Sequence, residues 1–216
     1  MPAELEFNIL KVLTYFDLFD YPITKEELFS FLAQPADMVR FSCALERLLE
    51  SGRLYLIGGF YMLRNDASLA DRRLSGNLRA QPLLRTGKRI SRLLYQVPFV
   101  RAIGISGSLS KNFAGEDADI DYFIITSPNR LWVARTMMHF IKKLSYLLGR
   151  QHWYCMNYYL DEEAMEIAEK NIFTAIELIT LLPVQGMNTM IEFYRQNEWT
   201  REYYPNFKAK HSPAVF

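Results

Sequence analysis

The sequence predicts a mixed α/β protein of the α+β kind, with a helical module and one hairpin leading into a small mixed sheet flanked by helices. Three observations carry this expectation. Between Leu5 and Glu50, apolar side chains recur at helical spacing in three successive stretches. Gly58-Gly59 then separates two short apolar runs, the mark of a tight hairpin. Beyond residue 97, strand-like runs such as Phe99 to Ser106 and Asp119 to Thr126 alternate with longer stretches of helical pattern. At 216 residues, half of them apolar, the chain is long enough to bury two small cores.

Each element has a local reason. Phe7, Ile9, Leu10, Val12, Leu13 and Phe16 give the first helix a broad apolar face, and Tyr21-Pro22 stops it. Thr24-Lys25-Glu26-Glu27 has the form of a capping box, so a second helix should run through Leu28 and Leu32. A third helix is expected from about Asp37, with Val39, Cys43, Leu45, Leu48 and Leu49 in the core and Gly52 as its stop. The hairpin over Arg53 to Arg64 completes a module spanning residues 1–65. Residues 66–96 read as a helical connector interrupted around Gly76, Pro82 and Gly87. A sheet-bearing domain is expected over 97–203, followed by a polar tail at 204–216.

Charge is distributed unevenly behind a formal balance of +1. Up to Asn65, nine acidic residues face six basic ones. From Arg72 to Arg101 there are eight basic residues (Arg72, Arg73, Arg79, Arg85, Lys88, Arg89, Arg92, Arg101) and no acidic one. Such a stretch is either a solvated helix face or a site for a phosphate-bearing partner. The N-terminus lacks a basic region followed by an apolar stretch, and runs such as Leu54 to Leu63 are too short to cross a bilayer. No membrane association and a cytoplasmic location are therefore expected. Cys43 and Cys155 read as core thiols, since two cysteines in separate elements suggest neither a disulfide framework nor a zinc site.

The residues with chemical content lie between Gly107 and Asp121. On a strand beginning D-I-D, Asp119 and Asp121 project to one face while Ile120 packs behind them. Paired carboxylates repel unless a cation lies between them, and hard oxygen ligands of this kind suit magnesium or manganese. Ten residues, Leu109 to Ala118, separate Asp119 from Gly107-Ser108 at the end of the preceding strand, where a glycine lets backbone approach a phosphate and a hydroxyl can bond it.

Taken together, G-S-L-S-K-N-F-A-G-E-D-A-D-I-D-Y-F-I-I resembles the signature of nucleotidyltransferases of the DNA polymerase beta type. The resemblance covers roughly Val97 to Pro183. It implies a nucleoside triphosphate held by Gly107, Ser108 and Lys111, with Mg2+ or Mn2+ on Asp119 and Asp121. The reaction implied is attack of an acceptor oxygen on the α-phosphorus, pyrophosphate leaving; the acceptor is a small molecule, a protein or a nucleic acid. In that family a third strand brings another carboxylate, and here the strand expected over His152 to Leu160 carries Asn157 in that place. An amide can ligate a metal but cannot take a proton as a carboxylate does. Asp161 and Glu177 are the replacements to weigh. Ser127-Pro128 should open the helix before that strand and Gly149 end it, and Phe173 to Leu182 should form a helix ended by Pro183.

The element order of residues 1–65 is similar to that of winged helix-turn-helix modules. Its third helix offers Asp37, Arg40, Glu46, Arg47 and Glu50, a nearly balanced set, so DNA binding through this module is not favoured over protein interaction. Two readings remain open at this point: an active nucleotidyltransferase, or a regulatory or interaction protein whose transferase fold is catalytically weak. His139, His152 and His211 are scattered, and Trp153, Tyr154, Tyr158 and Tyr159 alternate as packing residues of a strand would.

Overall fold

The first helix, α1 (Pro2–Asp17), turns Ile9, Val12, Leu13 and Phe16 into the interior of the N-terminal part. The structure, a computed structural model, describes residues 2–147 and 155–208. Two compact units are distinguished: residues 1–75 with Trp199–Lys208, and Gly76–Glu198.

In the first unit, α2 (Lys25–Ser30) is opened by the expected capping box. The Glu27 backbone N–H donates to Thr24 Oγ1 at 3.2 Å, and the Thr24 N–H donates to Glu27 Oε2 at 2.9 Å. Asp37 caps α3 (Met38–Glu50), accepting from the Val39 and Arg40 N–H groups at 2.9 and 3.1 Å. The buried face of α3 is Phe41, Ala44, Leu45 and Leu48. Val39 is 70% exposed and Cys43 is exposed, so both expected core positions are corrected. Phe41, the larger apolar group, takes the core by packing on Phe29. The hairpin of β1 (Tyr55–Ile57) and β2 (Phe60–Met62) turns on Gly58 and Gly59, both at positive φ, as a two-residue primed turn requires. Ile23 bridges Tyr61 on the hairpin's other edge.

Residues 204–208, expected to begin a polar tail, are part of this unit. Helix α9 (Thr200–Tyr203) precedes them. Tyr204 is buried with its ring edge-on to Phe31, and Asn206 bonds the Ala36 N–H and the Gln34 carbonyl. Sequence pattern missed this because the anchoring contacts are some 170 positions away.

Helix α4 (Ala67–Leu94) runs from the first unit into the second without the expected interruptions. Pro82 removes one N–H, but the affected turn is exposed, so water can serve the freed carbonyl of Leu78. The glycines mark close approaches rather than breaks. A Cβ on Gly76 would lie 2.2 Å from the Phe113 ring, and one on Gly87 would crowd Ile105 and Ile120. Tyr122 donates its hydroxyl to the Gly87 carbonyl at 2.8 Å.

The sheet of the second unit has the order β5-β4-β3-β6, from β3 (Val100–Ile105), β4 (Asp121–Thr126), β5 (Cys155–Asp161) and β6 (Leu182–Gln185). β3 pairs antiparallel with β4 and β6, and β4 pairs parallel with β5, so the sheet is mixed. Ile103, Ile105, Ile120, Tyr122 and Ile124 form one core with Ile90 and Leu94 of α4 and Met138 of α6 (Leu131–Leu147). The opposite face carries Phe123 against Phe193 of α8 (Met187–Gln196).

Two expected boundaries move. The helix of Phe173 to Leu182 ends earlier, as α7 (Ile172–Thr180), and Pro183 lies in strand β6. That strand is at the sheet edge, where a residue without an N–H is tolerated. Ser127-Pro128 does not open α6: Asn129 adopts φ 57°, which interrupts helical geometry, and the helix begins at Leu131. Gly149, His152, Trp153, Tyr154 and His211 lie outside the described residues. No helix among the described residues is long and apolar enough to cross a membrane.

Candidate active site

The end of β3 and the beginning of β4 define the site. The last ladder bond runs from the Ser106 N–H to the Asp121 carbonyl at 2.9 Å, after which the chain turns into α5 (Gly107–Ser110). Gly107 has φ 68°, and a Cβ there would stand 2.7 Å from Asp121 Oδ2. Only glycine satisfies both conditions without strain. The bend and the carboxylate therefore share one small space. Ser108 is exposed beside them.

β4 begins at Asp121 rather than Asp119, because β3 has already turned away and offers no partner further back. Ile120 still accepts the Cys155 N–H at 2.8 Å, continuing the parallel ladder. Ile120 is fully buried between exposed Asp119 and half-buried Asp121, and Asp119 lies near enough for its charge to act on Asp121. Burial pushes the Asp121 carboxyl above its ordinary value, and the negative charges of Asp119 and Glu177 push it further; a hydrogen bond from the Cys155 thiol works the other way. The thiol is itself raised, first by burial and then by Asp121.

Lys111, which follows α5, points its ammonium into the protein. Its Nζ donates to the Gly107 carbonyl at 3.1 Å and to Glu177 Oε1 at 2.7 Å, with only 15% of the side chain exposed. Ser110 Oγ donates to the same Gly107 carbonyl at 2.8 Å. The Gly107 bend is thus latched from below, and Glu177 of α7 is drawn to the site through Lys111. The following loop is held by α4: the Ala114 N–H donates to the Gly76 carbonyl, and Arg79 Nε donates to the Ala114 carbonyl, both at 3.1 Å.

The position beside Asp121 differs from the expected one. The register places Cys155 opposite Asp121, while Asn157 falls where the pairing slips, between Met156 opposite Tyr122 and Tyr158 opposite Phe123. The side chain of Asn157 lies outside the described residues. Of the two acids weighed as replacements, Asp161 is paired with Thr126 at the far end of the strand, and its oxygens accept the N–H groups of Asn129 (2.7 Å) and Glu163 (3.0 Å). It serves the fold there. Glu177 is the one that reaches Asp121 electrostatically. Cys155 was missed because alternation says which residues share a face but not which residue of a distant strand lies alongside.

The cluster of Gly107, Ser108, Lys111, Asp119, Asp121, Cys155 and Glu177 combines an open backbone bend with more negative than positive charge. Among the described residues there is no group of three or more His, Cys, Asp or Glu side chains that could hold a metal ion on its own. No family model, curated protein or solved structure matches this chain.

Proposed function

We propose that the second unit is a metal-dependent nucleotidyltransferase, moving a nucleoside monophosphate from a nucleoside triphosphate to an acceptor with release of pyrophosphate. One observation carries the reading: the left-handed Gly107 bend is within contact of Asp121, whose carboxyl is raised by burial and by the charges of Asp119 and Glu177. Like charges gathered beside an open bend are costly in an empty site and become favourable when a cation and an anionic ligand arrive together. The oxygen donors fit a hard divalent ion such as Mg2+ or Mn2+. Bound at Asp119 and Asp121, that ion would supply charge stabilisation to the phosphates, a contribution of several kcal/mol on the usual scale.

The chain's own residues have distinct parts in this reading. Gly107 keeps a Cβ out of the space a phosphate needs, and the Ser108 hydroxyl is free to donate to a phosphate oxygen. Lys111 is a positioning residue: it fixes the bend through the Gly107 carbonyl and places Glu177 near the carboxylate pair. The first unit, with its helices, hairpin and Ile23 bridge, fits a winged-helix-like interaction module. Arg47 on α3 is engaged by Glu6 at 2.8 Å, which lowers the positive charge that helix offers to DNA.

Labelled nucleoside triphosphates with Mg2+ or Mn2+ test the assignment. Transfer or hydrolysis should fall by about 10²-fold or more in Asp119→Ala and in Asp121→Ala, the kinetic size of several kcal/mol. Turnover equal to wild type in both variants would end the proposal. A second reading, a regulatory protein with a catalytically weak transferase fold, is favoured by Cys155, a poor proton acceptor, beside Asp121. Calorimetry with a non-hydrolysable triphosphate and Mn2+ separates the two, since the regulatory reading predicts no metal-dependent nucleotide binding.

A further inference from the structure

α4 uses its two sides differently. Within the second unit its inner side, Leu83, Leu84, Ile90 and Leu94, packs into the sheet core together with Ile105, Ile120 and Tyr122. Its outer side presents Arg85, Lys88, Arg89 and Arg92, all exposed and spaced i, i+3, i+4, i+7 so that they form one stripe. None of the four has an ion-pair partner among the described residues, although Arg72, Arg73 and Arg79 of the same helix all bond to the protein. Four cations kept together at about 10 Å along a helix repel each other, and no acidic side chain among the described residues pairs with them. The stripe is also separate from the carboxylate site. Tyr122 and Ile120 point toward α4, whereas Asp121 projects from the opposite face of the sheet, where α7 brings Glu177.

We propose that this outer face of α4 is a docking surface for duplex nucleic acid, held through its phosphates and without reading sequence. A span of about 10 Å covers about three phosphate-to-phosphate steps of one strand along the duplex axis, so each of the four cations can meet one phosphate. Between Arg85 and Arg92 the outer face carries no aromatic side chain, and the single exposed ring of Tyr95 beyond it does not make the row of stacking platforms by which proteins hold single strands. An acidic membrane is a poorer fit: a helix lying on a bilayer needs its apolar side for the lipid, and here that side is packed on the sheet. The inference is independent of the transferase reading, because neither Asp119 nor Asp121 belongs to the surface.

The test is fluorescence anisotropy of the full chain with a labelled 20-base-pair RNA duplex and a DNA duplex of the same length, titrated between 50 and 200 mM KCl. Four phosphate contacts predict that log Kd against log salt has a slope of about 3.6, a loss on the order of 10²-fold in affinity across that range. Lys88→Gln with Arg89→Gln should halve the slope, and changing all four to Gln should abolish binding while the circular dichroism spectrum stays unchanged. Asp119→Asn with Asp121→Asn, and Arg40→Gln with Arg47→Gln, should bind as wild type. The proposal is overturned if the four-residue variant keeps wild-type affinity and slope. It is equally overturned if the Arg40 and Arg47 variant is the one that loses binding, or if the protein binds phosphatidylserine vesicles and neither duplex.

Discussion

At the Thr126 end of the β4–β5 ladder, Asp161 spends both carboxylate oxygens on backbone N–H groups, those of Asn129 and Glu163. At the other end, about 16 Å away along the strands, Asp121 meets the charges of Asp119 and Glu177, and among the described residues the Cys155 thiol offsets its burial. The same residue type on the same sheet has been put to opposite uses. One carboxylate stabilises the fold by satisfying donors that would otherwise be orphaned at a turn; the other is held where the fold gains little from it. Carboxylates of the second kind point to a ligand, and the contrast can be attacked from both ends.

The largest effect is expected at Gly107. Replacing it with Ala imposes a left-handed backbone on a residue with a Cβ and drives that carbon toward Asp121 Oδ2. The two penalties together should cost about 2–3 kcal/mol, or about 6 °C in melting temperature for a chain of this length. A melting curve like that of wild type would mean that the bend is not held as described. Next comes Asp161→Ala, which should destabilise by about 1–2 kcal/mol through two lost acceptors while leaving Mn2+ and nucleotide binding intact. If it instead impaired binding, the division between the two ends would fail.

Much of this was legible in the sequence, and what was not shares a physical cause. The Thr24 capping box, the start of the third helix near Asp37 and the Gly58-Gly59 hairpin depend on neighbours a few residues away, and each formed as read. The buried face of α3 was also readable: Phe41, Ala44, Leu45 and Leu48 fit the i, i+3, i+4, i+7 pattern better than a set containing Val39 and Cys43. Long-range placement was not. The return of Tyr204 and Asn206 to the first unit, the edge strand around Pro183 and the pairing of Cys155 with Asp121 depend on residues tens to hundreds of positions apart. Gly76 and Gly87 misled for the same reason, since each is small because a distant side chain needs the space.

Cys155→Asp would test that long-range pairing. A third carboxylate across from Asp121 should destabilise the protein in EDTA and raise Mn2+ affinity about tenfold, or about 1.4 kcal/mol, by calorimetry. Unchanged affinity would show that the thiol does not share the face of the two aspartates.

The smallest effect concerns Asp121 alone. Its carboxyl is raised above 3.8 by burial and like charge, so at neutral pH the folded protein bears a cost that the unfolded chain does not. Asp121→Asn removes the charge and should raise the melting temperature in EDTA by about 2 °C. The sign follows from linkage. Between 3.8 and the raised value the folded state binds more protons than the unfolded one, so wild-type stability falls as pH rises through that window and is level above it. The advantage of Asn is therefore full at pH 7 and vanishes as the pH is lowered through the window, when the wild-type carboxyl becomes neutral too. Paired melting curves at pH 7 and at about pH 3.8 decide the matter: an advantage that persisted at the acidic end would have to come from packing, and Asp121 would lose its claim to be the strained carboxylate of the pair.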